Sequence, residues 1–208
     1  LENNFNDKQI KILEVAELLF SEKGFDGTSI RDISKEAKIN IAMVSYYFGS
    51  KERLLEDLII HRTSDLKLQI DHLILENLEP IEKVNKLIEL YINRVNSNRG
   101  LYRILHFEFT SKKRNINHET FSELKKGNLK SLETIIIEGQ NKGVFRKDII
   151  IPLITPTILG TFFHFQMNKP FFENVLNLNT EALYDHYIKT VLTKHIQQTI
   201  KALLVYES

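Results

Sequence analysis

An all-α chain, a small N-terminal helical domain followed by a larger helical bundle, is predicted by three features of the sequence. Apolar residues recur at three- and four-residue spacings almost throughout. Strand-like alternation is nearly absent, and glycine and proline number only eight and four in 208 residues, so helix breaks are few. With 42% hydrophobic residues, a chain of this length can bury a real core.

The first helix is expected to begin near Asp7, a plausible N-cap, to bury Ile10, Leu13 and Ala16 or the neighbouring Val15 and Leu18, and to stop at Gly24. Thr28 or Ser29 can cap a second, short helix through Ile30, Ile33 and Ala37, with Asp32 in its first turn, where the helix dipole favours an acid. Lys38-Ile39-Asn40 makes a tight connection. Asn40 then caps a third helix from Ile41 to about Phe48, ended by Gly49-Ser50. From Lys51 a longer helix runs to about His72 and connects two domains, 6–66 and 67–208. Pro80 fits the first turn of a helix that continues to Ser97–Gly100. Leu101–Phe109 reads as a short aromatic helix, Ser111–Asn117 as a polar loop carrying Lys112, Lys113 and Arg114, and Glu119–Gln140 as a helix ending near Gly143. Ile151–Asn168 is apolar on nearly every face, Pro170–Thr180 is a link, and Leu183–Leu204 carries an apolar stripe.

Composition removes several classes of function. Without cysteine there is no disulfide, thiolate metal site or cysteine nucleophile. Histidines at 61, 72, 106, 118, 164, 186 and 195 form no close helical ligand pair, so no metal is expected. Ser, His and Asp all occur, but no Gly-x-Ser-x-Gly elbow, phosphate-cradling glycine loop or dinucleotide fingerprint does; neither an enzyme nor a cofactor is expected. No apolar run reaches the roughly 18 residues that span a bilayer, and Leu1–Lys11 is polar, which reads as a cytoplasmic protein without membrane association. The net charge is +1, and Leu1–Leu55 carries eight Lys or Arg against nine Asp or Glu, so bulk charge gives no argument for nucleic acid. The case for DNA rests on local placement.

Two short helices joined by a three- or four-residue turn, behind a longer helix, make a helix-turn-helix whose second member can enter a major groove about 12 Å wide. On Ile41–Phe48, Val44 and Phe48 share an inward face while Ala42, Ser45 and Tyr46 project elsewhere. Tyr46 carries a hydroxyl suited to a phosphate oxygen, and Lys51 sits at a helix N-terminus that already attracts anions, as Thr28 marks another. Asn40, Ile41, Ala42 and Ser45 are left to read bases.

The run Phe20, Gly24-Phe25, Thr28-Ser29-Ile30, Ile33-Ser34, Ala37 and, above all, Tyr46-Tyr47-Phe48-Gly49-Ser50-Lys51-Glu52-Arg53-Leu54-Leu55 resembles the tetracycline-repressor-like (TetR) regulators over about a quarter of the chain. That resemblance implies a three-helix DNA-binding domain, a C-terminal bundle that binds a small ligand, dimerisation through the last two helices, and ligand-driven release from DNA. It also makes Thr28, Tyr46 and Lys51 phosphate contacts, with Ser29 beside them. The sequence departs from the family at Ile41, where lysine is frequent, and at Ser45, where many members carry an aromatic; both departures bear on base preference. The rival reading is a helical adaptor that uses the C-terminal bundle to bind a protein.

For the C-terminal half, Tyr102, Leu105, His106, Phe109, Phe163 and Met167 are the candidates to line an apolar effector pocket. Tyr184, Ile188, Val191, Ile196 and Ile200, at helical spacing, together with Phe162, are the candidate homodimer interface, and Gly160 would let helices approach closely.

Overall fold

The computed structural model describes residues 5–102, 104–105 and 118–205. Among them there is no strand. The helices are α1 (Asp7–Lys23), α2 (Ile30–Ala37), α3 (Ile41–Phe48), α4 (Lys51–Leu75), α5 (Pro80–Ser97), α6 (His118–Asn141), α7 (Ile154–Met167), α8 (Lys169–Val175), α9 (Glu181–Tyr187) and α10 (Thr193–Leu204). A 3-10 turn, Ile151–Leu153, leads into α7, and a π-helical stretch, Ile188–Leu192, joins α9 to α10. The chain divides into two compact units, Leu1–Asp65 with Ser97–Leu124, and Leu66–Asn96 with Lys125–Ser208. Ser97–Leu124, placed with the second domain by the sequence reading, joins the first because Leu101, Ile104 and Leu105 bury in the same cluster as α1 to α4.

Local chemistry sets the ends of the first unit's helices. Asn6, not Asp7, caps α1: its side chain accepts from Gln9 N at 3.0 Å while the Gln9 side chain accepts from Asn6 N at 3.1 Å. Asp7 lies instead in the first turn, where its charge favours the dipole. Ser29 rather than Thr28 caps α2. Its hydroxyl oxygen accepts from Asp32 N, and the Asp32 carboxylate accepts from Ser29 Oγ at 2.6 Å and Ser29 N at 2.9 Å, which holds that carboxyl below its ordinary pKa. Asn40 caps α3 by accepting from Ala42 N at 2.8 Å, and Ser50 Oγ accepts from Arg53 N at the start of α4. The core beneath is Ile12, Leu13, Ala16, Leu19 and Phe20 from α1, Ile33 and Ala37 from α2, Val44 and Phe48 from α3, and Leu54, Leu55 and Leu58 from α4. Each large apolar side chain removed from water here contributes roughly 1.5 to 3 kcal/mol. Leu18 is half exposed, because the inward face of α1 runs through Ile12, Leu13, Ala16, Leu19 and Phe20.

The turn between α2 and α3 places Lys38 at φ 55°, the left-handed region. A side chain there costs on the order of 1 kcal/mol that glycine avoids. Lys38→Gly is therefore expected to raise stability by about 0.5 to 1 kcal/mol, measured by urea unfolding; a variant less stable than the parent would contradict the left-handed geometry.

In the second unit, the buried Lys83 joins three helices. Its ammonium donates to the Ile74 carbonyl, in the last turn of α4, and to Glu138 Oε2 of α6, both at 2.9 Å. It satisfies one of the orphan carbonyls of α4 and, by that hydrogen bond, holds the Glu138 carboxyl below its ordinary pKa. Lys67 and Asp71 of α4 pair with each other and both meet Ser131 Oγ of α6, at 3.1 Å each.

The C-terminal region differs from expectation in two ways. Residues 169–175 form α8 rather than a link: Pro170 lies in the first turn, where proline lacks only an amide that has no partner anyway. Phe165 of α7 stacks on Phe172 of α8 at 4.6 Å and on Tyr184 and Tyr187 at 5.3 and 5.7 Å. Second, the apolar stripe faces inward. Tyr184, Ile188, Ile196 and Ile200, with Phe162, are 0 to 2% exposed within the chain itself, so they are core and not the dimer surface expected of them; of the six candidates only Val191, 48% exposed, faces out. The buried positions 184, 188, 192, 196, 200 and 204 step by four. In a regular α-helix each such step overshoots a full turn by about 40°. The π-helical stretch absorbs one extra residue and sets the stripe back by about 100°, which keeps it on the core. The Thr193 hydroxyl donates to Ile188 O at 2.7 Å inside this wide turn.

Candidate nucleic-acid interface

The candidate DNA-reading surface is the outer face of α3. Val44 and Phe48, four residues apart, bury one face of this two-turn helix; Asn40, Ile41, Ala42, Ser45 and Tyr46 lie exposed on the other. Tyr46 is 84% exposed, with its ring 5.6 Å from that of Tyr47, while Tyr47 is half-buried against the core. An eight-residue helix is about 12 Å long, and its small Ala42 and Ser45 side chains let the backbone approach base edges. Ser29, at the start of α2, is also exposed.

Two candidates are placed differently. Thr28 is 1% exposed, and its hydroxyl lies 3.1 Å from Leu19 O and 2.9 Å from Gly24 O, to which it donates. A buried hydroxyl committed to two carbonyls cannot hold a phosphate; Thr28 belongs to the corner between α1 and α2. Lys51 is half-buried. Its ammonium donates to Phe25 O and Thr28 O, both at 2.8 Å, and sits 4.2 Å from the centre of the Phe25 ring. The sequence reading missed Arg31 and Lys35, exposed cations one turn apart on α2, and Lys38, exposed in the turn that follows it. A total charge count hid them, because Asp32 and Glu36 cancel it.

The candidate pocket residues belong to both units. Leu105 is buried in the first unit's core, and Tyr102 packs against that core. His106 and Phe109 lie outside the described residues, as does the Lys112–Arg114 cluster. In the second unit Phe163 is half-buried beside Phe162, at 6.1 Å between rings. Met167 is 65% exposed because it ends α7 at the surface. Among the described residues no group of three or more His, Asp or Glu is placed to hold a metal, and no helix is long and apolar enough to cross a membrane.

Comparison with known proteins agrees with this architecture. Residues 12–58 match the family of bacterial regulatory proteins, tetR family, and residues 80–192 match a tetracyclin repressor-like C-terminal domain. The transcriptional repressor NicS of Pseudomonas putida is 30% identical over 167 residues, covering 76% of this chain and 75% of that protein. The probable transcriptional regulator YttP of Bacillus subtilis is 53% identical over 49 residues, a match that spans only 24% of its length. The fold is shared with the fatty acid degradation regulator FadR of Bacillus halodurans (TM-score 0.76, 19% identity, 96% of this chain and 97% of that one). It is shared too with FadR of Bacillus subtilis in complex with stearoyl-CoA (TM-score 0.74, 19% identity, 93% and 97%). The relatives are regulators of transcription, not enzymes. The helix-turn-helix with its outward α3 and the matches over both parts of the chain lead to one assignment: this protein belongs to the TetR family of DNA-binding bacterial transcriptional regulators.

Proposed function

We propose that the protein is a repressor that binds a pseudo-palindromic operator as a homodimer and is released by a small apolar effector. The observation that supports the DNA half is that Ile41, Ala42, Ser45 and Tyr46 are exposed together on α3; in this reading Ala42 and Ser45 meet bases, Ile41 a thymine methyl and Tyr46 a phosphate. Ala42→Leu, exposed and remote from the core, is expected to leave the fold intact and to change or abolish the site selected from random-sequence DNA. Selection of the parental site by this variant would refute the reading. A helical adaptor predicts no selected site for the parent either.

The partner-facing surface proposed for the dimer is the outward side of the C-terminal helices. Leu153, Gly160 and Met167 are exposed at spacings of seven along the 3-10 turn and α7, and Leu183, Val191 and Leu203 are half-exposed along α9 to α10. Two such faces give a four-helix seam, and a permanent one buries roughly 2,000 Å² or more.

The effector half rests on the apolar interior of the second unit and on the stearoyl-CoA bound by the Bacillus subtilis FadR, whose fold this chain shares. A ligand with a long apolar chain is the class to test first. It acts through its differential affinity for the two conformations; a coupling of roughly 1 to 3 kcal/mol weakens operator binding about 5- to 150-fold.

A further inference from the structure

We propose that Lys51 is a positioning residue for the recognition helix rather than a phosphate contact. The inference rests on the DNA-binding reading given above. Lys51 opens α4 three residues after α3 ends at Phe48, yet its ammonium reaches back more than twenty positions in sequence to the corner where the chain turns from α1 into α2. There it donates to Phe25 O and Thr28 O at 2.8 Å each and lies over the Phe25 ring at 4.2 Å. An ammonium has three protons, and this arrangement uses two of them on carbonyls and turns its charge toward a ring face.

The corner it grips is tightly built. Thr28 N donates to Phe25 O at 3.3 Å, and the buried Thr28 hydroxyl donates to Leu19 O and Gly24 O. Phe25 is 2% exposed, with its ring 5.1 Å from that of Phe20 in the core. Ser29, the next residue, caps α2. Lys51 therefore ties the α3–α4 corner to the α1–α2 corner and fixes the angle at which α3 leaves the core. Hydrogen bonds from a charged donor are among the stronger ones a small domain makes, and losing both is expected to cost operator affinity about 10- to 100-fold. The loss falls on specific binding, which needs α3 in register, and spares non-specific binding, which tracks phosphate contacts.

The test uses the full-length protein with Lys51→Met, Lys51→Arg and Thr28→Val. Operator affinity, affinity for unrelated duplex DNA and the salt dependence of both are measured, and amide hydrogen exchange at Thr28 is followed without DNA. A clamp predicts faster exchange at Thr28 in Lys51→Met, a 10- to 100-fold loss on operator, and an unchanged salt slope on unrelated DNA. It predicts further that Lys51→Arg does not restore the parent, because a flat guanidinium presents its donors differently from a compact ammonium, and that Thr28→Val, which keeps the Lys51 charge and its carbonyl partners but removes the hydroxyl bonds to Leu19 O and Gly24 O that brace the gripped corner, also loses operator affinity. Were Lys51→Met not to fold, Thr28→Val and Lys51→Arg would decide by the same readings. A salt slope smaller by about 1 on both DNAs, with rescue by Lys51→Arg, parental behaviour of Thr28→Val and undisturbed exchange, would overturn the proposal in favour of a phosphate contact. A parent that selects no DNA site would defeat the DNA-binding reading itself, whereas the exchange result at Thr28 reports on the clamp without DNA.

Discussion

Gly139→Ala is expected to destabilise the second unit by about 3 kcal/mol, the upper end of what overpacking costs, although it adds a single methyl group in the last turn of α6. Ordinarily this exchange in a helix interior is favourable by roughly 1 kcal/mol. Here a Cβ would stand 2.1, 2.4 and 2.7 Å from Cδ2, Cε2 and Cγ of Phe145. The ring cannot swing away: Phe145 is 2% exposed, and its own amide and that of Val144 donate to Gly139 O at 3.1 and 2.9 Å, which pins the backbone that carries the ring against α6. Urea unfolding of the variant checks the size of the loss. A double-mutant cycle with Phe145→Leu should recover part of it, since the clash is with the ring. A single variant within about 0.5 kcal/mol of the parent would show that the ring does not lie there.

Gly160→Arg is expected to do the reverse, leaving the chain folded and destroying its DNA binding. Gly160 is exposed on α7, and a Cβ built there meets nothing within 4 Å, so a large side chain is accommodated in the isolated chain and also suits a helix better than glycine. In the proposed seam the same position is where the partner's helices come closest, and an arginine holds them apart. A monomer engages one half-site at a time and forfeits the effective concentration that links the two; operator affinity should fall about 100-fold or more. Sedimentation should show a monomer with the parent's thermal stability per chain. A variant that remains dimeric and binds operator normally would remove this face from the interface.

Much of the first unit was legible because its signals are local. The extent of α3, Ile41–Phe48, is set by an asparagine at its start and a glycine at its end, and both act within a residue or two. Alternating inward and outward residues along two turns was enough to put Ala42, Ser45 and Tyr46 on the outside. What failed to show is whatever depends on distant chain. Thr28 and Ser29 are both good caps, and only the tertiary burial of Thr28 against Leu19 O and Gly24 O decides between them. A lysine at a helix N-terminus looks like an anion contact; that the Lys51 side chain turns back over Phe25 is a fact of packing.

The same limit governs the C-terminal half. Periodicity tells that Tyr184, Ile188, Ile196 and Ile200 share a covered face, but not whether this chain or another covers it, and here it is this chain. Pro170 reads as a break, yet a proline in the first turn begins a helix as readily as it ends one. The π-helical stretch leaves no local mark that a three- or four-residue count detects, although it is what keeps the stripe in line.

The most direct test of a two-fold DNA-binding regulator is the symmetry of the sites it selects. The full-length protein is mixed with random-sequence duplex DNA, and the bound pool is amplified and sequenced over several rounds. The account predicts enrichment of a pseudo-palindrome whose half-sites lie about 10 to 10.5 base pairs apart centre to centre, or a multiple of that, so that two α3 helices meet successive major grooves on one face. Enrichment of a single asymmetric half-site would contradict the dimer, and no enrichment at all would contradict recognition by α3.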